Sequence, residues 1–270
     1  MEFINDKIRL ILDDSRNALN KLESDTIDLV VTSPPYDNIR TYGDTLEWNF
    51  EIFKEIANEL YRAVKKGGVV VWVVGDATIS GSETGTSFRQ ALYFKEIGFN
   101  LHDTMIYQKA TPPLTHNRYE QSFEYMFIFS KGKPSTFNGL RVPKKYVDNR
   151  KVKTFVKNKD NGAAIGQPNK CDTTLKTNVW NIFAGGGSGD CYSSQHPAPF
   201  PERLAEDHIL SWSNENDTIL DPFMGSGTTG KMAIKNKRKF IGVEKVENYY
   251  DISKQRILKE LERPTVKKLI

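Results

Sequence analysis

Two short stretches of this chain combine residue types that can do chemistry together. The first is Val31-Thr32-Ser33-Pro34-Pro35-Tyr36. Neither proline can donate to a strand ladder, and each restricts the residue before it, so a strand running into this stretch stops in a rigid elbow. The elbow presents the Ser33 hydroxyl, the Pro34 carbonyl and the ring of Tyr36. Two acceptors can hold an exocyclic NH2 group while an aromatic face stacks on the planar base that carries it. The second stretch is Asp221-Pro222-Phe223-Met224-Gly225-Ser226-Gly227-Thr228-Thr229. Its glycines tolerate positive φ and let the backbone approach a ligand closely. Glu244 follows about twenty positions later, at the end of an apolar run, where a carboxylate can accept both hydroxyls of a ribose.

These residues need strand ends to hold them. Ile27 to Val31 reads as a buried strand leading into the elbow, Thr218 to Leu220 as the strand before the Gly-rich turn, and Phe240 to Val243 as the strand ending at Glu244. Ile8 to Leu12 is a further strand ending at Asp13-Asp14, with Ser15 as N-cap of a short helix striped by Ala18, Leu19 and Leu22. Phe50, Phe53, Ile56, Leu60 and Val64 fall at helical spacing, and Gly67-Gly68 reads as the end of that helix. Val69 to Val74 is a strand buried on both faces. Phe88, Leu92 and Ile97 mark another helix. Asn100 to Gln108 and Phe123 to Phe129 follow as strands, antiparallel because the linker has no room for a crossover helix. Leu204 and Ile209 stripe a helix entered through His196 to Glu202, and Tyr249 to Arg263 is a terminal amphipathic helix. Strands alternating with helices predict an open α/β sheet that binds ligands at its carboxyl edge.

The chain has 270 residues and a formal net charge of +4, enough for one large domain plus an insertion. The charge is concentrated. Arg141 to Lys159 carries Arg141, Lys144, Lys145, Arg150, Lys151 and Lys153 among its cations and Asp148 as its only acid. Such a run suits either a solvated face or a surface that neutralises DNA phosphates. Cys171 and Cys191 lack Cys-x-x-Cys spacing, so neither a disulfide framework nor a metal site is expected. With no signal peptide and no apolar run of membrane length, a soluble cytoplasmic protein is expected.

Thr32 to Tyr36 resembles motif IV of the amino-group DNA methyltransferases, in the Ser-Pro-Pro-Tyr form usual for cytosine-N4 enzymes; adenine-N6 enzymes more often have Asp in place of Ser33. Asp221 to Thr229 resembles motif I, the S-adenosylmethionine loop, and His196 to Glu202 resembles motif X. Motif IV precedes motif I here, with the basic stretch between motifs VIII and X, as in the β group of the restriction–modification family. The resemblance implies a Rossmann-like, seven-stranded, mostly parallel sheet with one antiparallel strand and a circularly permuted motif order. Residues 1–132 would form the catalytic part (motifs III to VIII), 133–195 a target-recognition insertion, and 196–270 the cofactor-binding part (motifs X, I and II). It implies catalytic roles for Ser33, Pro34, Pro35 and Tyr36. Cofactor contacts fall to Asp14, Thr32, Phe200, Asp221, Pro222, Phe223, Gly225, Ser226, Gly227, Thr228 and Glu244. S-adenosylmethionine would be the cofactor, duplex DNA the partner, and base flipping the means of access. The family leaves room for a cognate restriction endonuclease, and for a monomer or a homodimer.

Other readings stay open on the residues alone. Gly225 to Lys231 fits the phosphate-loop spacing Gly-x-x-x-x-Gly-Lys, although Met232 stands where Ser or Thr would bind magnesium. An adenine-N6 enzyme of the same fold, or a DNA-binding protein that keeps the fold without catalysis, would share much of the pattern. Cytosine-C5 chemistry needs a thiolate nucleophile, and neither cysteine lies in a Pro-Cys context.

Overall fold

The computed structural model describes residues 2–35, 48–109, 119, 121–144, 154–157, 163–166, 172–182 and 201–263. In chain order the elements are β1 (Glu2–Asn5), β2 (Ile8–Leu12), α1 (Ser15–Asn20), β3 (Ile27–Thr32), α2 (Phe50–Ala63), β4 (Val64–Val74), β5 (Thr78–Ile79), β6 (Ser82–Glu83), α3 (Thr86–Glu96), β7 (Asn100–Gln108) and β8 (Phe123–Ser130). They continue with β9 (Arg141–Pro143), β10 (Thr154–Lys157), β11 (Ala163–Gly166), β12 (Thr173–Leu175), β13 (Val179–Asn181), α4 (Glu202–Trp212), β14 (Thr218–Asp221), α5 (Thr228–Lys235), β15 (Lys239–Glu244) and α6 (Glu247–Leu261). No helix among the described residues is long and apolar enough to cross a membrane.

The chain divides into two compact units, Met1–Asn138 with Asn178–Ile270, and Gly139–Thr177. The first holds one sheet in the order β1-β2-β15-β14-β3-β4-β8-β7-β13. Its inner seven strands match the expected number, in the order β2-β15-β14-β3-β4-β8-β7, and β8 runs antiparallel to both β4 and β7. Two edge strands extend it: β1 pairs antiparallel with β2, and β13 pairs parallel with β7. Both are too short to carry a readable period. At the centre, Leu29 and Val30 of β3 stand opposite Ile219 and Leu220 of β14, and Asp221 stands opposite Gly242 of β15. The carboxyl ends of three neighbouring strands are therefore brought side by side.

On the face covered by α1, α2 and α3, the core gathers Phe53, Ile56, Leu60, Trp72, Phe94 and Phe129. Phe53, Trp72 and Phe94 meet edge to face with centroids 5.2–5.7 Å apart, a geometry that adds about 0.5–1.5 kcal/mol per pair beyond burial. The Trp72 indole N–H donates to Gln90 Oε1 at 2.8 Å, so the buried amide is satisfied. Val69 to Val74 is buried on both faces, as its β-branched run predicts.

Three local expectations are corrected. Asp14, not Ser15, is the N-cap of α1: its side chain accepts from the Arg16 amide, and Ser15 already belongs to the helix. Gly67 and Gly68 do not end α2; they lie inside β4, where the pairing jumps from Ile27 opposite Val64 to Leu29 opposite Val69. Gly67 adopts φ +83° there while its amide donates to the Lys131 carbonyl at 2.7 Å, a bulge that the glycine pair makes possible. In α3 the inward positions are Ser87, Gln90, Ala91 and Phe94, while Phe88 and Leu92 are exposed. A buried hydrogen-bonded glutamine had displaced the apolar stripe by one position.

In the second unit, β9 pairs antiparallel with β12 and β10 with β11. Arg141 there is exposed and donates through Nε to Thr173 Oγ1 and through Nη2 to the Thr173 carbonyl, both at 2.9 Å.

Candidate active site

Four adjacent strands deliver polar groups to one edge of the sheet: Asp14 just past β2, Glu244 at the end of β15, Asp221 at the end of β14, and Thr32-Ser33 at the end of β3. Asp221 is almost wholly buried. The Thr32 hydroxyl donates to its Oδ1 at 2.7 Å, and the Phe223 amide donates to the same oxygen at 3.1 Å. Burial outweighs these bonds and one from Thr229, and pushes the Asp221 carboxyl up to about 6. The Thr229 hydroxyl lies within reach of the Val31 carbonyl as well, at 3.3 Å, so its single hydrogen serves one acceptor or the other. The end of β3 and the turn after β14 thus meet in two places, immediately before Ser33 begins the elbow. Pro34 is buried, and Ser33 and Pro35 are half-buried.

The Gly-rich turn is held from every side that the described residues provide. Ser15 Oγ donates to the Pro222 carbonyl at 2.5 Å, and the Phe223 ring lies edge-on to Trp48 with centroids 5.3 Å apart. The Met224 amide donates to the Val243 carbonyl, and its sulfur sits where a side chain at Gly242 would have to be. Gly225 and Gly227 adopt φ +51° and +80°, the left-handed region that suits glycine. A Cβ on Gly227 would also lie 2.8 Å from Ser253 Cβ on α6.

Glu244 holds both the turn and the next helix. Its Oε2 accepts the Gly225 amide at 2.8 Å, and Oε1 accepts the amides of Lys245 and Val246 at 3.0 and 2.8 Å. Burial raises its pKa, against the three amides that favour the ionised form. With three donors in place, only the remaining lone pairs are open to a ligand. Asp14 pairs with Arg16 Nε at 3.0 Å and with Lys245 Nζ at 3.2 Å. The Arg16 guanidinium is the main cause that holds the Asp14 carboxyl down to about 2, and the Lys245 bond adds to it.

Tyr36 and Phe200 of the expected site, and Lys145, Arg150, Lys151 and Lys153 of the expected DNA surface, lie outside the described residues. Arg141 and Lys144 belong to the second unit. The residue that sequence reasoning missed is Arg256. It is fully buried on α6, and its Nη1 donates to the Ser226 carbonyl at 2.7 Å and to the hydroxyls of Ser226 and Thr228 at 3.1 Å. A lone arginine in an amphipathic helix carries no local signal of such a role. Lys231 is also buried, with Nζ 2.6 Å from Glu202 Oε1.

The family model for N6/N4 DNA methylases matches residues 27–255. The chain belongs to that family. Among curated relatives, the orphan methyltransferase M.BamHII of Bacillus amyloliquefaciens is 55% identical over 239 residues, spanning 86% of this chain and 89% of its own. The DNA adenine methyltransferase YhdJ of Escherichia coli K12 is 28% identical over 94% of this chain and 84% of its own. Among solved structures, the PvuII cytosine-N4-specific DNA methyltransferase superposes with a TM-score of 0.68 at 22% identity, over 93% of this chain and 86% of its own. The protein is therefore an S-adenosylmethionine-dependent DNA methyltransferase of the N6/N4 type. The residues present suit that cofactor: the Asp221 and Glu244 carboxylates, both with pKa raised by burial, flank a turn whose glycines keep side chains away. The phosphate-loop alternative is overturned by this membership and by Lys231, whose ammonium pairs with Glu202 inside the protein.

Proposed function

We propose that the protein transfers a methyl group to the exocyclic N4 amine of cytosine in duplex DNA. The carrying observation is the adjacency of Thr32 and Ser33: Thr32 is bonded to Asp221 of the Gly-rich turn, and the next residue is the serine that opens the elbow. A base seated on the elbow would therefore lie next to whatever the turn binds. Ser33 stands where an adenine-specific enzyme more often has Asp, which favours cytosine.

When bound, S-adenosylmethionine supplies a sulfonium methyl open to attack by an amine lone pair. Asp14, Thr32, Phe200, Asp221, Pro222, Phe223, Gly225, Ser226, Gly227, Thr228 and Glu244 are the residues we assign to holding it, some by contact and others, such as Thr32, by fixing a neighbour. Ser33 Oγ and the Pro34 carbonyl accept from the target NH2, which turns its lone pair out of conjugation with the ring, and Tyr36 stacks on the base. Positioning then supplies most of the rate. The methylated nitrogen is acidic after transfer, so the site needs no strong base. Reaching the amine requires flipping the base out of the stack, at a cost of a few kcal/mol that stacking and hydrogen bonds in the pocket offset. Arg141, Lys144, Lys145, Arg150, Lys151 and Lys153 are the cations we assign to phosphate neutralisation.

M.BamHII is described as an orphan methyltransferase, and we read this chain likewise, with a cognate endonuclease as the alternative. The adenine-N6 reading is supported by the likeness to YhdJ, an adenine methyltransferase, and by a family model that spans both base types. Expressing the protein in a host free of DNA methylation and analysing nucleosides from its genomic DNA by mass spectrometry separates the two. N4-methylcytosine is expected; N6-methyladenine in its place would overturn the base assignment while keeping the enzyme class.

A further inference from the structure

We infer that Arg256 is a positioning residue for the cofactor turn, an inference that rests on the methyltransferase reading above. The turn from Met224 to Gly227 is closed by the Gly227 amide donating to the Met224 carbonyl at 2.8 Å. Arg256 clamps the third residue of that turn, through the Ser226 carbonyl and hydroxyl, and reaches past Gly227 to the Thr228 hydroxyl. Ser253, three residues earlier on α6, abuts the position where Gly227 lacks a side chain. One face of α6 therefore holds the turn on both sides of its left-handed glycine.

The other end of the guanidinium is anchored as well. Arg256 Nη2 lies 3.2 Å from Glu202 Oε1, the same oxygen that accepts from Lys231 Nζ at 2.6 Å. Glu202 begins α4, Lys231 lies in α5 and Arg256 in α6, so one carboxylate ties three helices to the turn. Leaving the guanidinium buried without this partner would be costly, which explains why an acid stands at the entrance of α4. A guanidinium suits the task because its planar fork serves several acceptors at once, whereas an ammonium is a point charge on a flexible stem. The family match ends at residue 255, so Arg256 lies just beyond it.

A clamp on the turn predicts a defect in cofactor binding and not in the chemical step. The test compares wild type, R256K and E202Q by calorimetric titration with S-adenosylmethionine, thermal melting, and kcat at saturating cofactor. For R256K we expect the dissociation constant to rise at least about tenfold, the scale of hydrogen bonds to a charged group, while kcat stays within about twofold. E202Q, which leaves Arg256 in place but removes its counter-charge, is expected to weaken binding by a smaller factor. If R256K does not fold, the comparison is read on E202Q. Unchanged affinity in the folded variants, or a fall in kcat with affinity intact, would overturn the inference. A wild-type protein that does not bind S-adenosylmethionine would overturn the methyltransferase reading with it, whereas normal wild-type binding beside an unaffected R256K would overturn the role of Arg256 alone.

Discussion

Thr32 donates its hydroxyl hydrogen to Asp221 Oδ1 at 2.7 Å, joining the last residue of β3 to the last residue of β14. The two residues are 189 positions apart in sequence, and the bond couples the elbow that would seat the base to the turn that would seat the methyl donor. Replacing Thr32 with valine keeps the volume and removes the donor. Asp221 then loses a bond that lowers its pKa, and a buried acceptor is left with one partner fewer. We expect a stability loss of about 1–2 kcal/mol by urea denaturation, with weaker S-adenosylmethionine binding in calorimetry. A variant equal to wild type in both would show that the bond is incidental.

Asp221 also predicts a pH dependence of stability. Its carboxyl is raised from 3.8 to about 6 in the folded protein. Between those values the folded state keeps a proton that the unfolded chain has released, so stability falls as pH rises through this window and stays lowered above it. Two pKa units correspond to about 3 kcal/mol. Asp221→Asn does not titrate. The stability difference, wild type minus D221N, should therefore drop by about 2 kcal/mol between pH 4 and pH 7, measured by urea denaturation at each pH. A difference that stays flat, or rises with pH, would contradict the burial argument.

Gly227→Ala meets two obstacles. At φ +80° an alanine is strained by about 1–2 kcal/mol, and its Cβ would lie 2.8 Å from Ser253 Cβ, forcing α6 away from the turn. A loss of about 2–4 kcal/mol in urea denaturation is expected, together with loss of cofactor binding. Wild-type stability would mean that the turn is not held against α6 as described.

Most of this site was legible because strand ends announce themselves. An apolar run followed by Ser-Pro-Pro, or by Asp-Pro-Phe and glycines, marks both the strand and the group it delivers, and the order of β2, β15, β14 and β3 follows from the motif order. What the sequence hid are contacts between distant elements. Arg256 looks like any basic residue of an amphipathic helix until α6 is laid against the turn. Gly67-Gly68 looked like a helix end because a bulge uses the same residue. Gln90 displaced the apolar stripe of α3 because Trp72 needs an acceptor for its indole N–H. Asp14 took the cap from Ser15, whose hydroxyl is engaged with the Pro222 carbonyl.

Ser33→Ala should separate catalysis from affinity. On the proposed mechanism the hydroxyl accepts from the reacting amine and does little to hold the duplex. Turnover should fall by about tenfold or more, with the dissociation constant for DNA changed less than about twofold, since the lost contact acts in the transition state. Equal losses in both would count against an acceptor role.

The most direct measurement is to incubate purified wild-type protein and its Ser33→Ala variant with S-adenosylmethionine tritiated on the methyl group and mixed-sequence duplex DNA, digest the product to nucleosides and identify the labelled one. The account predicts label in N4-methylcytosine from wild type and much less from the variant. Label in N6-methyladenine, or equal labelling by both proteins, would contradict it.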